Sequence, residues 1–454
     1  MLIDTHCHLD FPDFDKDREE VIARAKEAGI KYFINISSDY SSNLKSLEFA
    51  HHYPEFYTSL GIHPHYAQDV DENILKRIRE LAKGNGKVVA IGEIGLDFYR
   101  NISPREIQLE IFKQFLELAE ELKLPIIVHN RNADEEILGL IKKFSLKGVF
   151  HCFSGDREFL REVLHLGFYV SFTANITYPK AKNLRAIVSE TPVEKIILET
   201  DSPFLPPQGK RGLRNEPAYL VYLVKELAKL KCLTEEDIFR ITSLNACQLF
   251  KLPFEETKPK IAYPIRNSLY LNITNRCTDN CSFCVRFYTD YVKGHNLRLA
   301  QEPDFEEIVR ELNDISKYRE VVFCGYGEPL LRLEIVKKVA KYLKEKNAYV
   351  RLNTNGQGNL IYKRNIVPEL KGLIDEVSVS LNVDTEENYH KICQPQFGAG
   401  TFSKVKEFVL ECKKYIPSVS VTFIDLPEVD LNKCAGIAQE LGVKFRIRRL
   451  GQVG

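Results

Sequence analysis

The 454-residue sequence predicts an α/β chain of two successive β/α barrels, the second of them incomplete. Three observations lead there. In the first half, short apolar segments end one after another on His, Glu or Asp, with helix-length stretches between them. That arrangement describes the C-terminal face of a β/α barrel. In the second half, strand candidates at 268–275, 320–324, 348–354, 375–382, 418–424 and 443–449 alternate with helical patterns such as Phe305–Leu312 and Ile335–Leu343. Six such units would make an incomplete barrel. Between the halves, Glu255-Glu-Thr-Lys-Pro259-Lys-Ile-Ala-Tyr-Pro264 is charged and punctuated by two prolines, which stiffen a connector. The expected division is a first domain over 1–255, a linker over 256–265 and a second domain over 266–454.

Met1-Leu-Ile-Asp-Thr-His6-Cys-His8 reads as a short strand ending in His-x-His. Residues two apart in an extended segment point to the same side, so His6 and His8 can bind one metal together. Val88–Glu93 closes on a carboxylate and is followed by Gly95-Leu-Asp97. Leu124–His129 and Gly148–His151 close on imidazoles, and Lys195–Asp201 closes on a carboxylate. Six nitrogen and oxygen ligands suit two divalent ions such as Zn, Mg or Mn. Two ions about 3.5–4 Å apart clamp an in-line displacement at phosphorus. Lys210, Arg211 and Arg214 follow Asp201 closely and would either meet phosphates or solvate a loop. His51, His52 and His165 fall on helical patterns and read as surface or core-edge residues.

These motifs stand in order along the first half: Asp4-Thr-His6-Cys-His8, Gly61-Ile-His63-Pro-His65, Gly92-Glu93-Ile-Gly-Leu-Asp97, Pro125-Ile-Ile-Val-His129, His151-Cys-Phe-Ser-Gly155, Leu198-Glu-Thr-Asp201-Ser-Pro203 and Arg214-Asn-Glu-Pro217. With them, residues 1–255 resemble the TatD family of metal-dependent deoxyribonucleases. The resemblance implies a TIM-barrel hydrolase with metal ligation by His6, His8, Glu93, His129, His151 and Asp201. Glu93 would bridge the two ions, and Asp201 would be the general base toward the attacking water. It also keeps His63 and His65 near the site, as substrate or phosphate contacts; the alternative for them is a hydrogen-bonded turn around Pro64.

The second half opens with Cys277-Thr-Asp-Asn-Cys281-Ser-Phe-Cys284, three thiols within eight residues just past a strand pattern. They can hold three corners of a [4Fe–4S] cube and leave one iron open. Alone, they could be a structural zinc site with a fourth ligand elsewhere. Downstream, Glu320–Gly325 reads as a strand running into Gly325-Tyr-Gly327-Glu328-Pro329, Tyr349–Gly356 as a strand ending in a polar turn, and Glu376–Asn382 as a strand with Ser378, Ser380 and Asn382 on one face. Together these resemble the radical S-adenosylmethionine superfamily, with Tyr326 where a glycine usually stands. The resemblance implies a partial barrel with a [4Fe–4S] cluster on Cys277, Cys281 and Cys284. S-adenosylmethionine would meet Gly325, Gly327 and Glu328 through its amino group, and Ser380 and Asn382 through its ribose or carboxylate. It implies cleavage to a 5′-deoxyadenosyl radical and a reductant such as flavodoxin or ferredoxin. Ser418–Asp425 lacks the family's fifth-strand glycines, so the adenine contacts are unassigned. Cys324, Cys393, Cys412 and Cys434 are scattered singly, which argues against a second cluster; Cys393 would be a core residue or face the substrate. The chain ends soon after the sixth strand, so no large capping domain is expected.

Composition bounds the partners. Sixty-three basic and sixty-three acidic residues cancel, so no global charge favours nucleic acid, although a local basic groove is allowed. No apolar run reaches the roughly 18 residues of a membrane span, and no signal peptide precedes the first strand. Eleven cysteines without a short secreted framework suggest a reducing cytoplasm. The expected function is bifunctional: a two-metal phosphodiesterase acting on DNA or a nucleotide-derived substrate, and a radical enzyme. The alternatives are hydrolysis of an amide, ester or lactone coupled to modification of a small molecule, and one half serving as a scaffold.

Overall fold

The computed structural model describes residues 1–254 and 258–449. Two compact units divide the chain, Met1–Glu255 and Glu256–Gly454.

The first unit is a barrel of eight strands in sequence order: β1 (Leu2–Cys7), β2 (Ile30–Ile36), β3 (Phe56–Leu60), β4 (Val88–Asp97), β5 (Ile126–Arg131), β6 (Gly148–Phe150), β7 (Tyr169–Phe172) and β8 (Ile196–Leu198). Every adjacent pair is parallel. The ring closes between its first and last strands through a parallel bridge from Cys7 to Ser202. There the Asp201 amide donates to the His6 carbonyl at 2.9 Å and the His8 amide to the Ser202 carbonyl at 2.8 Å. Helices cover the outside, and their starts are set by short polar side chains. Asp39 with Ser42 and Thr234 with Asp237 form reciprocal capping boxes. Ile3, Val89, Ile127, Val149 and Ile197, all early in their strands, pack with Ala246, Cys247, Leu249 and Phe250 of the helix Glu235–Phe250. This apolar plug fills one end of the barrel and leaves the polar residues at the other.

The second unit is built on β9 (Ala262–Ile265), β10 (Ser268–Leu271), a small hairpin of β11 (Tyr291–Val292) and β12 (His295–Asn296), then β13 (Glu320–Phe323), β14 (Val350–Thr354), β15 (Glu376–Asn382), β16 (Ser418–Asp425) and β17 (Lys444–Arg449). Its main sheet has seven strands in the order β17-β16-β15-β14-β13-β10-β9, parallel from β10 to β17. It is open, as the six-unit expectation requires. Leu271, Phe323, Leu352, Val379 and Val421 lie in the core shared with the helices. Alternate positions form a second face that includes a half-buried Arg351–Glu320 pair, with two hydrogen bonds of 2.9 Å, and a Ser378–Thr422 contact of 3.2 Å.

Two sequence expectations change here. Of the linker foreseen at 256–265, residues 256 and 257 lie outside the described residues, while 262–265 form an antiparallel edge strand. Tyr263 explains it: its buried ring stacks on Tyr270 at 5.5 Å and its hydroxyl donates to the Cys324 carbonyl at 2.9 Å. Pro264 is tolerated because an edge strand has one unpaired side. The strand foreseen at 268–275 stops at Leu271. Asn272 ends it by turning its amide group to the carbonyls of Lys260 and Leu297 at 3.1 and 2.7 Å.

One glycine tests the packing of the first barrel. Gly95 has φ +143°, and an added Cβ would lie 1.9 Å from the His129 carbonyl oxygen. Gly95→Ala should cost more than about 2 kcal/mol and lower the Tm clearly in thermal unfolding. Gly139→Ala, in a helix with open space around it, should leave the Tm unchanged or raised.

Candidate functional site

At the C-terminal end of the first barrel, one buried carboxylate is surrounded by imidazoles. Glu93 Oε1 lies 2.8 Å from His129 Nδ1, 2.8 Å from His151 Nε2 and 3.6 Å from His63 Nε2, and Oε2 lies 3.4 Å from His6 Nε2. Asp201 Oδ1 lies 3.7 Å from His6 Nε2 and 3.6 Å from His8 Nε2. Among the described residues three groups bring their ligand atoms within 4.8 Å of one another: His6–Glu93–His151, His6–His8–Asp201 and His63–Glu93–His129. Glu93 and His6 each belong to two of them. All six residues foreseen as ligands therefore converge, and His63 joins them rather than standing apart.

The donors fit a cation. Both ring nitrogens of His6, with Nε2 of His129 and Nδ1 of His151, are buried without a hydrogen-bond partner. Buried polar atoms rarely stay unsatisfied, because losing water without replacement is costly. His8 Nδ1 donates to the Ile36 carbonyl at 3.0 Å, which leaves Nε2 free to act as a ligand. Burial alone would raise the Glu93 carboxyl, but His151 and His63 and hydrogen bonds from His129 and His151 hold it well below the usual range. Burial lowers His151, and the charges of Glu93 and Glu199 outweigh it, holding this imidazole well above its ordinary value. His63, buried beside His129, is held well below.

Behind these groups sit residues that the sequence reading left without a role. Glu199 lies 3.9 Å from His6 Nδ1 and 3.7 Å from His151 Nδ1 and accepts from the Cys152 amide at 2.6 Å. Asp97 lies 2.8 Å from His65 Nε2 and 3.6 Å from His129 Nε2. Asp4, pushed up to about 7 by burial, accepts from the Thr200 amide at 2.9 Å and its hydroxyl at 2.5 Å. It thereby ties the loop that carries Asp201 to β1. Glu199 and Asp4 stood inside motifs already quoted, two residues from Asp201 and His6; period two was the available signal.

The basic run divides. Arg214 donates to both oxygens of Asp17 at 2.8 and 2.7 Å, so the phosphate contact foreseen for it is corrected: its charge is already neutralised. Asn215 Nδ2 bonds the carbonyls of Thr200 and Phe204 at 2.9 and 2.6 Å, and Glu216 pairs with Arg24 at 2.6 Å. The Arg214–Pro217 motif thus braces the Asp201 loop. Lys210 and Arg211 lie over the rings of Tyr219 and Tyr178 and have no carboxylate partner among the described ion pairs.

In the second unit the cysteine loop follows β10. Asn355 Nδ2 and the Asp279 amide reach Cys277 Sγ at 3.9 and 3.5 Å, and Arg286 Nε reaches Cys284 Sγ at 3.3 Å. Arg286 is fixed by the carbonyls of Asn275 and Asp279 at 3.2 and 2.8 Å. None of the close ligand groups among the described residues contains a cysteine. Burial pushes the Cys277 thiol up to about 12.

The turns after β13, β14 and β15 pack against this loop. A Cβ on Gly325 would lie 2.2 Å from Asn272 Oδ1, and one on Gly327 2.2 Å from the Arg276 carbonyl oxygen. These glycines are required by backbone meeting backbone. Tyr326 donates from its amide to Asn272 Oδ1 at 2.9 Å and from its hydroxyl to the Thr289 carbonyl at 3.0 Å. Glu328, pushed up to about 7 by burial, accepts from the Leu330 amide, the Thr354 hydroxyl and the Asn355 amide at 2.9, 2.8 and 2.7 Å. It clamps two turns together. Gln357 and Asn355 hold Asp279 at 2.6 and 3.1 Å. Ser380 is half-buried on β15, and Asn382 has φ +66° and a buried Oδ1 without a partner. That orphan, with Gln357 Oε1, is the observation here that fits a polar ligand.

An eight-stranded parallel barrel with imidazoles and carboxylates gathered at its C-terminal end defines a metal-dependent hydrolase, and the open sheet with a three-cysteine loop after its first parallel strand defines a radical enzyme core. Residues 3–251 match the family model TatD related DNase, and residues 271–440 match that of the Radical SAM superfamily. The chain belongs to the TatD family and carries a radical SAM domain after it. Both families imply cofactors: metal for the first, an iron–sulfur cluster and S-adenosylmethionine for the second. The uncharacterized metal-dependent hydrolase YabD of Bacillus subtilis (strain 168) is 41% identical over 255 residues, 56% of this chain and 100% of its own. The 3'-5' ssDNA/RNA exonuclease TatD of Erwinia tasmaniensis is 34% identical over 260 residues, 55% of this chain and 100% of its own. The crystal structure of YjjV, a TatD homologue of Escherichia coli K12, is similar at a TM-score of 0.53 and 30% identity, covering 56% of this chain and 98% of that one. No described helix is long and apolar enough to cross a membrane.

Glu199 gives a test of how the imidazoles are held. Glu199→Gln should weaken divalent-cation binding about 10–100-fold in calorimetric titration, with a far smaller change in Tm.

Proposed function

We propose that the first unit is a two-cation phosphodiesterase acting on DNA or a nucleotide-derived substrate. The observation that carries this is Glu93, whose two oxygens face different members of two overlapping ligand groups. His6, His8 and Asp201 would hold one divalent ion and His129 and His151 the other, with Glu93 between them. Zn, Mg and Mn all suit such nitrogen and oxygen donors. Bound as a pair, the cations would neutralise charge at phosphorus and make water a better nucleophile. Burial alone would raise Asp201, but His8 and His6 hold it below the usual carboxylate range; it is therefore ionised at neutral pH and can take the proton from the attacking water. His63 and His65 would face the substrate from the turn after β3, with His65 oriented by Asp97. Lys210 and Arg211 would meet its phosphates. The relative named as an exonuclease supports a phosphodiester over an amide, ester or lactone.

The second unit is read as a radical S-adenosylmethionine enzyme. Cys277, Cys281 and Cys284 would hold three irons of a [4Fe–4S] cluster. A cluster held there with S-adenosylmethionine would supply one-electron reduction of the sulfonium, with methionine and a 5′-deoxyadenosyl radical as the expected products. The chain contributes position. Gly325 and Gly327 bring the turn after β13 close to the cysteine loop, and Glu328 fixes that turn, so the backbone there would hold the methionine amino group. Ser380 and Asn382 would bond the ribose or carboxylate. Arg286 would offset the negative charge of the thiolates. Flavodoxin or ferredoxin is the expected reductant, and the free thiols suit a reducing cytoplasm.

Purified protein with Mg or Mn should cleave single-stranded DNA in preference to a panel of amides, esters and lactones. Glu93→Ala should bring that cleavage to background while the circular dichroism spectrum stays native, because both ions lose a ligand at once. Cleavage at the full rate by this variant would remove the two-cation reading.

Replacing any one of Cys277, Cys281 and Cys284 by Ala should remove most of the iron and the cluster's visible absorbance after anaerobic reconstitution. If the native chain, given dithionite and S-adenosylmethionine, makes no 5′-deoxyadenosine, the radical reading is wrong.

A further inference from the structure

Cys281 has a neighbour that the reactions above do not use. Cys393 is fully buried at the end of the tight turn Tyr389–Cys393. The amides on either side of Cys281 bond to that turn: Asn280 donates to the Cys393 carbonyl at 3.1 Å and Ser282 to the Ile392 carbonyl at 2.9 Å. Two residues further along, Asp279 and Pro395 form an antiparallel bridge, and the Gln396 amide donates to the Thr278 carbonyl at 2.8 Å. The two segments are thus stapled together around the cysteine pair. The neighbouring Cys393 thiol, ahead of burial, holds that of Cys281 well above its ordinary value. Asn382 Nδ2 donates to Cys393 Sγ at 3.6 Å, which helps fix where that thiol sits.

We propose that in the cluster-free chain Cys281 and Cys393 form a disulfide, which removes one cluster ligand until it is reduced. The blocking consequence rests on Cys281 being a cluster ligand; the disulfide itself does not. The oxidant is a low-molecular-weight disulfide. Cys281 is the partly exposed member, so it meets the oxidant first: it gives up its proton, attacks a sulfur of the oxidant, forms a mixed disulfide and releases one small thiol. Cys393, buried beside it, then attacks the Cys281 sulfur and releases the second. Two cysteine thiols lose two electrons and two protons, and one small disulfide gains both as two small thiols. A partly exposed thiol backed by a resolving one is the arrangement found in redox-sensitive pairs. When iron occupies Cys281 its sulfur is engaged, so the cluster and the disulfide exclude each other.

The test uses the full chain, purified without iron under anaerobic conditions, treated with oxidised glutathione, alkylated and mapped by mass spectrometry. The expected product is a peptide pair linked through Cys281 and Cys393, with no glutathione left on Cys281. In Cys393→Ser the resolving step is lost, and Cys281 should retain one glutathione. Iron uptake by the oxidised native chain should fall more than tenfold and return after dithiothreitol. Links confined to Cys277, Cys281 and Cys284, or glutathione retained on Cys281 of the native chain, would overturn the proposal. Mapping is independent of iron, so a fully reduced chain that takes up no iron would refute the cluster reading and leave the disulfide to be judged by its peptides.

Discussion

A carboxylate buried among four imidazoles is the constraint on which the first domain turns. Glu93 is almost wholly out of water, and an ionised carboxylate there must be compensated by charge or by protons on its neighbours. Asp201, Asp97 and Glu199 bring three more buried or half-buried carboxylates to the same end of the barrel. Protonated imidazoles can balance them, and so can divalent cations, but an imidazole that binds a cation must first give up its proton. Ligand set and protonation state are therefore one system. The rest of the barrel serves it: the apolar plug keeps one end dry, and hydrogen bonds from Asp4, Asn215 and the Arg214–Asp17 pair hold the loop that brings Asp201 to His6 and His8.

The second domain depends on a different kind of fit. Its cysteine loop is positioned by backbone packed on backbone at Gly325 and Gly327 and by side chains that end strands: Asn272, Glu328 and Asn355. Tyr326 occupies a place where the superfamily commonly has glycine, yet its amide still bonds Asn272, and its ring reaches the segment after the cysteines. The departure in sequence is absorbed because the ring points away from the close contact.

Much of this was legible because strand ends concentrate chemistry. His-x-His after an apolar run, Glu93 and His129 closing their strands and three cysteines in eight residues are local patterns, and the structure brings the six hydrolase residues together. What was missed is long-range. Arg214 looked like a free cation because its partner, Asp17, lies 197 residues upstream. Glu199 looked like a neighbour of Asp201 because type and spacing do not reveal which carboxylate joins the ligand cluster and which stands behind the imidazoles. Tyr263 to Ile265 read as connector because Pro264 suggested a break, whereas an edge position accommodates it. Cys393 stood alone in the sequence, and its turn is bonded to the Cys281 loop in space.

Closure of the first barrel has a consequence for how the chain is made. His6 and His8 leave the ribosome early in this domain, but the residues that seal β1 into the ring, Asp201 and Ser202, lie nearly two hundred positions later. At about 5–20 residues per second, roughly 10–40 seconds pass between them. During that time the nascent chain holds an incomplete ligand set, with β1 still unpaired on one edge. A cation shared by His6, His8 and Asp201 could be received only after the eighth strand has emerged.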